Sequence, residues 1–436
     1  MTSKRRRRMT GWLLTPLLAV LLAVLLAGGA IVAQAGAASA GTAGDHGRVL
    51  FVSASAKHYG ANRSCAKPGF KKIQSAVDAA SPGATVVICR GTYHEQVVVF
   101  KPLTLDGQLA TIDESGVNPW LKVTVPHLGT VKIFAAVVIV SSDVRFTGLR
   151  VQHAKGEGIL AAGLGRDISG ITISHSAVVF NDLGFGFPKP KSSYFECAAA
   201  GQVPGDCGEG IHFTAVADSA ITHDVVANNS GGVLLSDDTG PTHGNLVADN
   251  YVTQNFTDCG ITVPGHNPGA LNAKGKPAPQ VAGVYDNVIR DNVVTFNGLK
   301  GEGAGVLFAN ATAGTASYDN LVEGNYIAGN ELAGVTMHAH TIRKGQHEDL
   351  SGNNVIGNVI GRNNIGGDPL DFPASPKDDK TTGILVFSGG THITVRIAFN
   401  HISVDTIGIW LSKAVSASGL KTNRFTHVSI HILAGQ

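Results

Sequence analysis

The chain has 436 residues, of which only 15% are charged, and its formal net charge is +2. The five N-terminal cations from Lys4 to Arg8 exceed this surplus, so the rest of the chain is slightly acidic. No cluster of Lys or Arg follows them, which argues against nucleic acid as a partner. The 55 Gly residues favour tight turns between short strands over long amphipathic helices.

The first forty residues have the pattern of a secretory signal peptide. The cationic cluster is followed by the apolar run WLLTPLLAVLLAVLLAGGAIVA and by A-x-A cleavage sites that end at Ala35 and Ala40. We therefore expect removal of residues 1–40 and a secreted or extracytoplasmic protein with no membrane segment. The run is also long enough for an uncleaved anchor, and this alternative and the export route stay open.

The five cysteines of an exported chain suggest disulfide pairing. Cys65 and Cys89 bracket one short unit and Cys197 and Cys207 bracket one loop, so we predict these two bonds. Cys259 is left over, and a Cys207–Cys259 bond that leaves Cys197 free is an open alternative. A catalytic thiol is less favoured, because no dedicated His stands beside Cys259.

The mature part opens with a short predicted helix. Apolar residues recur at helical spacing at Ile73, Ala76, Val77 and Ala80, and Ser-Pro-Gly at 81–83 ends the pattern. Strands follow to the end of the chain. We assign 41–64 to a leading segment and 65–436 to the solenoid.

The first predicted coil contains the phrase G-T-Y-x-E-x-V, at Gly91, Thr92, Tyr93, Glu95 and Val97. This phrase, together with the helix before it, resembles the first unit of the pectin-lyase-like superfamily. The resemblance covers about forty residues. It implies an all-β fold, a right-handed parallel β-helix, and it is shared by lyases, esterases, epimerases and proteins without known activity.

An internal repeat follows, with the form N-x4-N-x4-N and then Gly and an apolar residue. Its copies are Asn245, Asn250, Asn255 and Gly260-Ile261; Asn287, Asn292, Asn297 and Gly305-Val306; Asn320, Asn325, Asn330 and Gly334-Val335; and a looser copy with Asn354, Asn358 and Asn363. Strands this short bury their apolar side chains only when coils stack on one another, at about 4.8 Å.

The repeated asparagines are predicted to form ladders along the stack. Asn tolerates left-handed turn geometry, and its amide can bond to the Asn of the next coil, so a structural role outweighs a catalytic one. The pattern resembles the Asn-rich repeats of periplasmic copper-accessory β-helix proteins and the β-helix of alginate C5-epimerases. Three stretches rich in Pro, Gly and Lys interrupt it near 184–208, 264–281 and 367–381, and we expect loops there that line a binding face.

Stacking allows residues to be aligned by counting from the Gly of each Gly-apolar strand start. Six positions after such a Gly come Asp238, His266 and His340, and one or two positions earlier come Asp237, Asn310 and His338. We expect these residues along one wall, with His243 turned back toward Asp238. They form the predicted catalytic set: Asp237, Asp238, His243, His266, Asn310, His338 and His340.

An Asp and His cluster suits proton abstraction beside a sugar carboxylate, which needs a base, an acid and groups that stabilise the developing charge. The stretch VLLSDDTGPTHGNLVADNYVTQN faintly resembles the alginate epimerase motif, in which D-P-H-D precedes an Asn-rich coil. Here Ser-Asp-Asp at 236–238 replaces that phrase, so the resemblance carries over only Asp238, as an acidic member of the site. The calcium-binding aspartates and arginine of pectate lyases are not found in the sequence.

Glu209 and His212, in CGEGIHF, are assigned to substrate binding in the same groove, with packing at a strand end as the competing interpretation. His338 and His340 share one strand face, but two ligands are too few to define a metal site, and no metal is assigned. The cofactor is left unknown.

The sequence thus favours a secreted, monomeric β-helix protein that binds or acts on an extended polysaccharide, as a uronate lyase, an epimerase or a hydrolase. The alternative is a non-catalytic binding protein, either copper-accessory-like or adhesin-like. With only 3 Met residues, the chain is poor in the thioether ligands that Cu(I) prefers.

Overall fold

The structure is a computed structural model that describes residues 49–125, 129–182, 209–300, 303–310, 312–339, 345–365 and 380–435. Strands stack in parallel on three faces of one right-handed β-helix, which confirms the predicted fold. A typical coil runs from face 1, through a two-residue strand of face 2, to two short strands of face 3.

Face 1 is an eleven-stranded sheet. Its strands are Val97–Val99, Ala135–Ile139, Glu157–Ala162, Glu209–Thr214, Gly231–Ser236, Ile261–Gly265, Val306–Asn310, Val335–Ala339, Thr382–Ser388, Ile407–Leu411 and Ile430–Ala434. Face 2 has five strands, Ile168–Ser169, Val216–Ala217, Thr242–His243, Val284–Tyr285 and Ser317–Tyr318.

Face 3 is a 21-stranded sheet built from two adjoining columns. The first column contains Val49–Val52, Ala84–Ile88, Leu103–Asp113, Val144–Gln152, Thr172–Ser174, Ala220–Thr222, Leu246–Ala248, Val288–Arg290, Leu321–Glu323, Asn354–Ile356, Ile393–Ala398 and Val415–Ser418. The second contains Gly91–Tyr93, Ala177–Val179, Val225–Ala227, Tyr251–Thr253, Val293–Thr295, Tyr326–Ala328, Val359–Ile360, His401–Ser403 and Arg424–Thr426. Outside the faces, Lys122–Val125 and Gly129–Lys132 form an antiparallel pair.

The predicted helix is confirmed as Ile73–Ala79, and Ala80 is its C-cap residue. Its N-terminus is capped from a distance, because the Glu95 carboxylate accepts the backbone N–H groups of Ile73 at 2.8 Å and Gln74 at 3.0 Å. Burial raises the pKa of Glu95, although these two bonds oppose the shift. Glu95 in the first-coil phrase therefore fixes the helix against the open end of the solenoid. A short 3-10 helix, Leu420–Thr422, lies near the other end.

The glycine of the repeated Gly-apolar pair in face 1 is required by the spacing of the coils. A Cβ on Gly232 would lie 2.0 Å from the carbonyl oxygen of Gly260 in the next coil and 2.8 Å from Val252 Cγ1. No side chain fits at such a distance from backbone. The repeated Gly-apolar pair thus marks the corner where the chain enters face 1.

Buried asparagines form ladders that bond one coil to the next. The backbone N–H and the Nδ2 of Asn250 both donate to Asn292 Oδ1 at 3.0 Å, and Asn292 repeats the pattern on Asn325. A second ladder runs through Asn245, Asn287, Asn320 and Asn353, and a third through Asn229, Asn255, Asn297, Asn330 and Asn363. The predicted ladders are confirmed.

Two details of the ladder prediction are wrong. The left-handed backbone falls on the residue before the ladder asparagine, as at Asp249 (φ 58°) and Asp291 (φ 55°), because the asparagine itself must present its backbone N–H to the next coil. The fourth copy of the repeat uses Asn353 and not Asn354, whose Nδ2 instead donates to Gly352 O within a turn. With this correction the fourth copy keeps the regular five-residue spacing.

The predicted Cys65–Cys89 disulfide is present. Cys197 and Cys207 lie outside the described residues, so their predicted bond and the alternative with Cys259 stay predictions. Cys259 is buried, and its Sγ accepts the Ala304 N–H at 3.2 Å. No helix within the described ranges combines the length and the apolar character needed to cross a membrane.

We predict that Asn292→Ala destabilises the fold by about 3 kcal/mol or more, because it leaves the buried N–H and amide of Asn250 without their acceptor and removes a donor from Val247 O and Asn325 Oδ1. Urea unfolding followed by circular dichroism measures the loss. Asn118→Ala, at an exposed position, is the control and should change the free energy of unfolding by no more than about 0.5 kcal/mol. Equal effects of the two substitutions would contradict a stabilising ladder.

Candidate functional site

The candidate site lies at the corner where face 1 turns into face 2. The strand that ends at Ser236 leads into Asp238, and the strand of the next coil that ends at Gly265 leads into His266. The two strands pair in parallel, with their Gly-apolar starts side by side. Asp238 and His266 therefore occupy equivalent positions in neighbouring coils, as the counting from glycine predicts.

Asp238 and His266 form an aspartate–histidine pair. His266 Nδ1 lies 3.0 Å from Asp238 Oδ1, and the side chains are 15% and 21% exposed, respectively. An ionised carboxylate only accepts hydrogen bonds, so this contact assigns the proton to Nδ1. In the neutral imidazole, Nε2 is then the basic nitrogen, which is the arrangement that proton transfer requires.

The surroundings of Asp238 keep its carboxyl group ionised. Burial by itself raises the pKa of Asp238, but the nearby His266 and His212 and the Ser236 hydroxyl outweigh burial and hold the pKa below its usual range. Asp238 is therefore a carboxylate at any pH near neutrality. Its role in the pair is to accept a hydrogen bond and orient the imidazole.

Next to this pair, a chain of hydrogen bonds runs along face 1 across three coils. Ser236 Oγ donates to Asp238 Oδ2 at 2.5 Å, and His212 Nε2 lies 2.8 Å from the same hydroxyl oxygen. His212 Nδ1 in turn lies 3.1 Å from Glu157 Oε1. Ser236, His212 and Glu157 are all buried. Only the Asp238–His266 end of the chain reaches the surface.

Asp237 holds both ends of the loop that leaves face 1 after Gly265. Its Oδ1 accepts the backbone N–H groups of His266 at 2.6 Å and Asn267 at 3.0 Å, and its Oδ2 accepts the Gly283 N–H at 2.8 Å. The side chain is fully buried, and burial raises the pKa of Asp237 to about 6 even though these bonds oppose the shift. Asp237 is therefore a positioning residue for the backbone of His266.

Face 2 forms the second wall of the corner. The rings of His243 and Tyr285 stack at 4.8 Å between centroids, and Tyr285 stacks on Tyr318 at 5.1 Å. Tyr285 also donates its hydroxyl to Pro279 O in the loop at 3.1 Å. His243 is predicted to turn back toward Asp238. Instead its imidazole stacks in parallel on the ring of Tyr285, which holds it on face 2.

The remaining predicted catalytic residues that the structure describes lie further along face 1. Asn310 is buried beside Gly265, and its Nδ2 donates to Asp349 O at 3.0 Å. His338 is buried in the face 1 column of Ser236, three coils further on and thus roughly 14 Å away along the stack. His340 lies outside the described residues.

The residues predicted to bind substrate are buried on face 1. Glu209 and His212 are both buried on the strand Glu209–Thr214, and Glu209 lies beside Glu157 of the preceding coil. Sequence reasoning missed Glu157 and Ser236. Counting from glycine offered a signal for Glu157, since both glutamates directly precede the Gly-Ile pair that begins a face 1 strand. No such signal distinguishes Ser236 from other turn serines.

We predict that Asp237 makes stability fall as pH rises. Its pKa of about 6 in the folded protein exceeds the ordinary value near 4, so between these values the folded state binds more protons and loses up to roughly 3 kcal/mol as pH rises through about 6. Asp237→Asn should remove this part of the slope in urea unfolding measured from pH 4 to 7. The exposed Asp286→Asn is the control and should leave the slope unchanged; an unchanged slope in Asp237→Asn would contradict the prediction.

Comparison with known proteins yields structural matches only. No protein-family model matches the chain, and no curated protein sequence matches it. Among solved structures, the A-module of mannuronan C-5 epimerase AlgE4 from Azotobacter vinelandii is similar over 83% of this chain and 92% of the module, with a TM-score of 0.50 and 15% identity.

Two further structures are similar with lower scores. The AlgE6 A-module of the same organism covers 84% of this chain and 91% of its own length at a TM-score of 0.47 and 16% identity. An alginate lyase from Paenibacillus sp. str. FPU-7 covers 88% and 99%, respectively, at a TM-score of 0.47 and 12% identity. The parallel sheets and the AlgE4 match together show that this chain has a right-handed parallel β-helix fold.

Proposed function

We propose that this protein is an extracytoplasmic, carbohydrate-active β-helix protein that acts on the uronic acid units of an extended polysaccharide by proton transfer at His266. The observation that carries the proposal is the Asp238–His266 contact of 3.0 Å at the exposed end of an otherwise buried chain. His266 is the catalytic residue of this proposal. Asp238 and Asp237 act through it, as positioning residues.

The pair has the features of a general base. Asp238 stays ionised near neutrality and accepts the Nδ1 proton. This hydrogen bond favours the neutral tautomer in which Nε2 is the proton acceptor. Asp237 fixes the backbone N–H of His266, which limits movement of the ring relative to the coil. A fixed base contributes more than a mobile one, because the entropy of its alignment is lost during folding and not during the reaction.

The chemistry that suits such a base is removal of the C5 proton of a uronic acid unit, a position made acidic by the adjoining carboxylate. His266 Nε2 takes the proton, and the electron pair left on C5 is delocalised into the carboxylate. In a lyase, the electron pair forms the C4–C5 double bond while O4 leaves and takes a proton from water. In an epimerase, water supplies a proton to the opposite side of C5, and His266 releases the abstracted proton to solvent.

The fold supplies a surface that suits a long substrate. Coils stack at about 4.8 Å, so the corner between face 1 and face 2 forms a continuous edge beside the 266–283 loop. The Cys65–Cys89 disulfide supports an oxidising compartment, where polysaccharides of this kind are met. The name of the AlgE4 module makes polymannuronate the first substrate to test.

We predict that His266→Gln and Asp238→Asn each lower kcat on the responsive polymer about 10²- to 10⁴-fold with little change in KM, because the base is lost or loses its orientation. Polymannuronate, polyguluronate and polygalacturonate are the test panel. Ultraviolet absorbance reports unsaturated ends, and proton NMR reports the epimer ratio.

The matched control is His223→Gln. His223 is an exposed histidine on face 3 that stacks on His175 at 5.0 Å, far from the corner in the coil, and it should keep full activity. Activity that survives both His266→Gln and Asp238→Asn would reject the assignment of the base. Polymer binding without turnover would leave a binding protein of the adhesin kind, and neither binding nor turnover would refute the proposal altogether.

A further inference from the structure

A second cluster of acid and imidazole groups lies at the end of the hydrogen-bond chain away from the Asp238–His266 pair. The ligand atoms of Glu157, Glu209 and His212 all lie within 4.8 Å of one another, and all three residues are buried on face 1. Glu157 Oε2 accepts no hydrogen bond from the residues that the structure describes. Two carboxylates and an imidazole nitrogen held this close are donor types that bind a divalent metal ion.

The direction of the hydrogen bonds shows where a cation belongs. Ser236 has one hydroxyl proton, which it donates to Asp238, so His212 Nε2 must donate its own proton to Ser236 Oγ. A neutral His212 then has a bare lone pair on Nδ1, and Nδ1 faces Glu157 Oε1 at 3.1 Å. Two acceptors at that distance need either a proton or a metal ion between them.

We propose that Glu157, Glu209 and His212 bind a divalent transition-metal ion, with His212 coordinating through Nδ1. Ligand distances of about 2.0–2.2 Å place neighbouring ligand atoms about 3.0–3.5 Å apart, which matches the 3.1 Å between His212 Nδ1 and Glu157 Oε1. Ser236 then accepts the Nε2 proton, as an outer partner that fixes the imidazole of a metal ligand usually does.

The donor set selects the class of ion. An imidazole nitrogen with carboxylate oxygens suits Zn²⁺ or Mn²⁺, whereas Ca²⁺ prefers an all-oxygen site with more ligands. The three residues are buried, so the ion stabilises the wall of the solenoid and holds His212 in place. This is a site apart from the Asp238–His266 pair, and it does not depend on the proposed function.

The same residues do not favour a nucleophilic serine. The arrangement of Ser236, His212 and Glu157 has the order of a hydrolytic triad. Ser236 is fully buried, however, and its hydroxyl proton is directed to Asp238 and not to His212. A substrate carbonyl has no access to Oγ at this position, so metal binding is the activity that these contacts support.

We predict that the full chain, stripped with a chelator and dialysed against Zn²⁺ or Mn²⁺, retains close to one ion per chain by mass spectrometric metal analysis. Glu157→Gln and His212→Gln should each weaken binding at least about 10-fold. His338→Gln is the matched control, a buried histidine of the same face, and it should bind as the wild type does. Calorimetry in buffers of different ionisation enthalpy should show release of about one proton per ion, the proton that the metal displaces.

The melting temperatures of the metal-free proteins show whether a variant loses metal binding because it folds poorly or because it lacks a ligand. Glu157→Gln keeps the size of the side chain, and its amide can donate to His212 Nδ1, so without metal its melting temperature should lie close to that of the wild type, and added Zn²⁺ should raise only the wild-type value. An unchanged affinity in Glu157→Gln and His212→Gln would overturn the proposal. A wild type that retains no Zn²⁺ or Mn²⁺ would overturn it as well and would leave a proton between His212 and Glu157. These readouts need no polysaccharide, so they fail or succeed independently of the proposed function.

Discussion

The bonding of each ladder asparagine to the next coil is the constraint on which the rest of this structure depends. One carboxamide accepts two hydrogen bonds from one neighbouring coil and donates to the other, as Asn292 does between Asn250 and Asn325. Because both the backbone N–H and the side chain take part, a shift by one residue would leave several buried polar groups without partners at once. The ladders therefore fix the register of each coil as well as its stability.

Fixed register brings residues that are distant in the sequence together on one surface. Asp238 and His266 are 28 residues apart in the chain, yet they meet because they occupy the same position of adjacent coils. The corner glycines add a second restriction, since the place of Gly232 allows no side chain against the backbone of the next coil. The positions of the side chains at the corner are thus fixed by two sets of stacked residues, the ladder asparagines and the corner glycines.

The acidic residues of face 1 differ in their exposure to solvent and in their partners. At the surface, Asp238 is ionised and satisfied by His266 and Ser236. One residue away, Asp237 is buried and uses both carboxylate oxygens to hold the loop backbone. Further along the buried part of face 1, Glu157 and Glu209 lie close to His212, and Ser236 links this cluster to the Asp238–His266 pair. A cation bound by the cluster would thus stabilise the orientation of the pair.

The sequence alone determined the β-helix, the capping helix, the Cys65–Cys89 bond and the ladders, because these follow from periodic spacing and local turn chemistry. It also determined that Asp238 and His266 are neighbours, since in-phase stacking makes counting equivalent to register. Only the tertiary structure decided that His243 stacks on Tyr285, that Asp237 is buried, and that Glu157 and Ser236 join His212. Those outcomes depend on the direction of each side chain at a corner and on the residues that cover it. The spacing of a repeat determines neither.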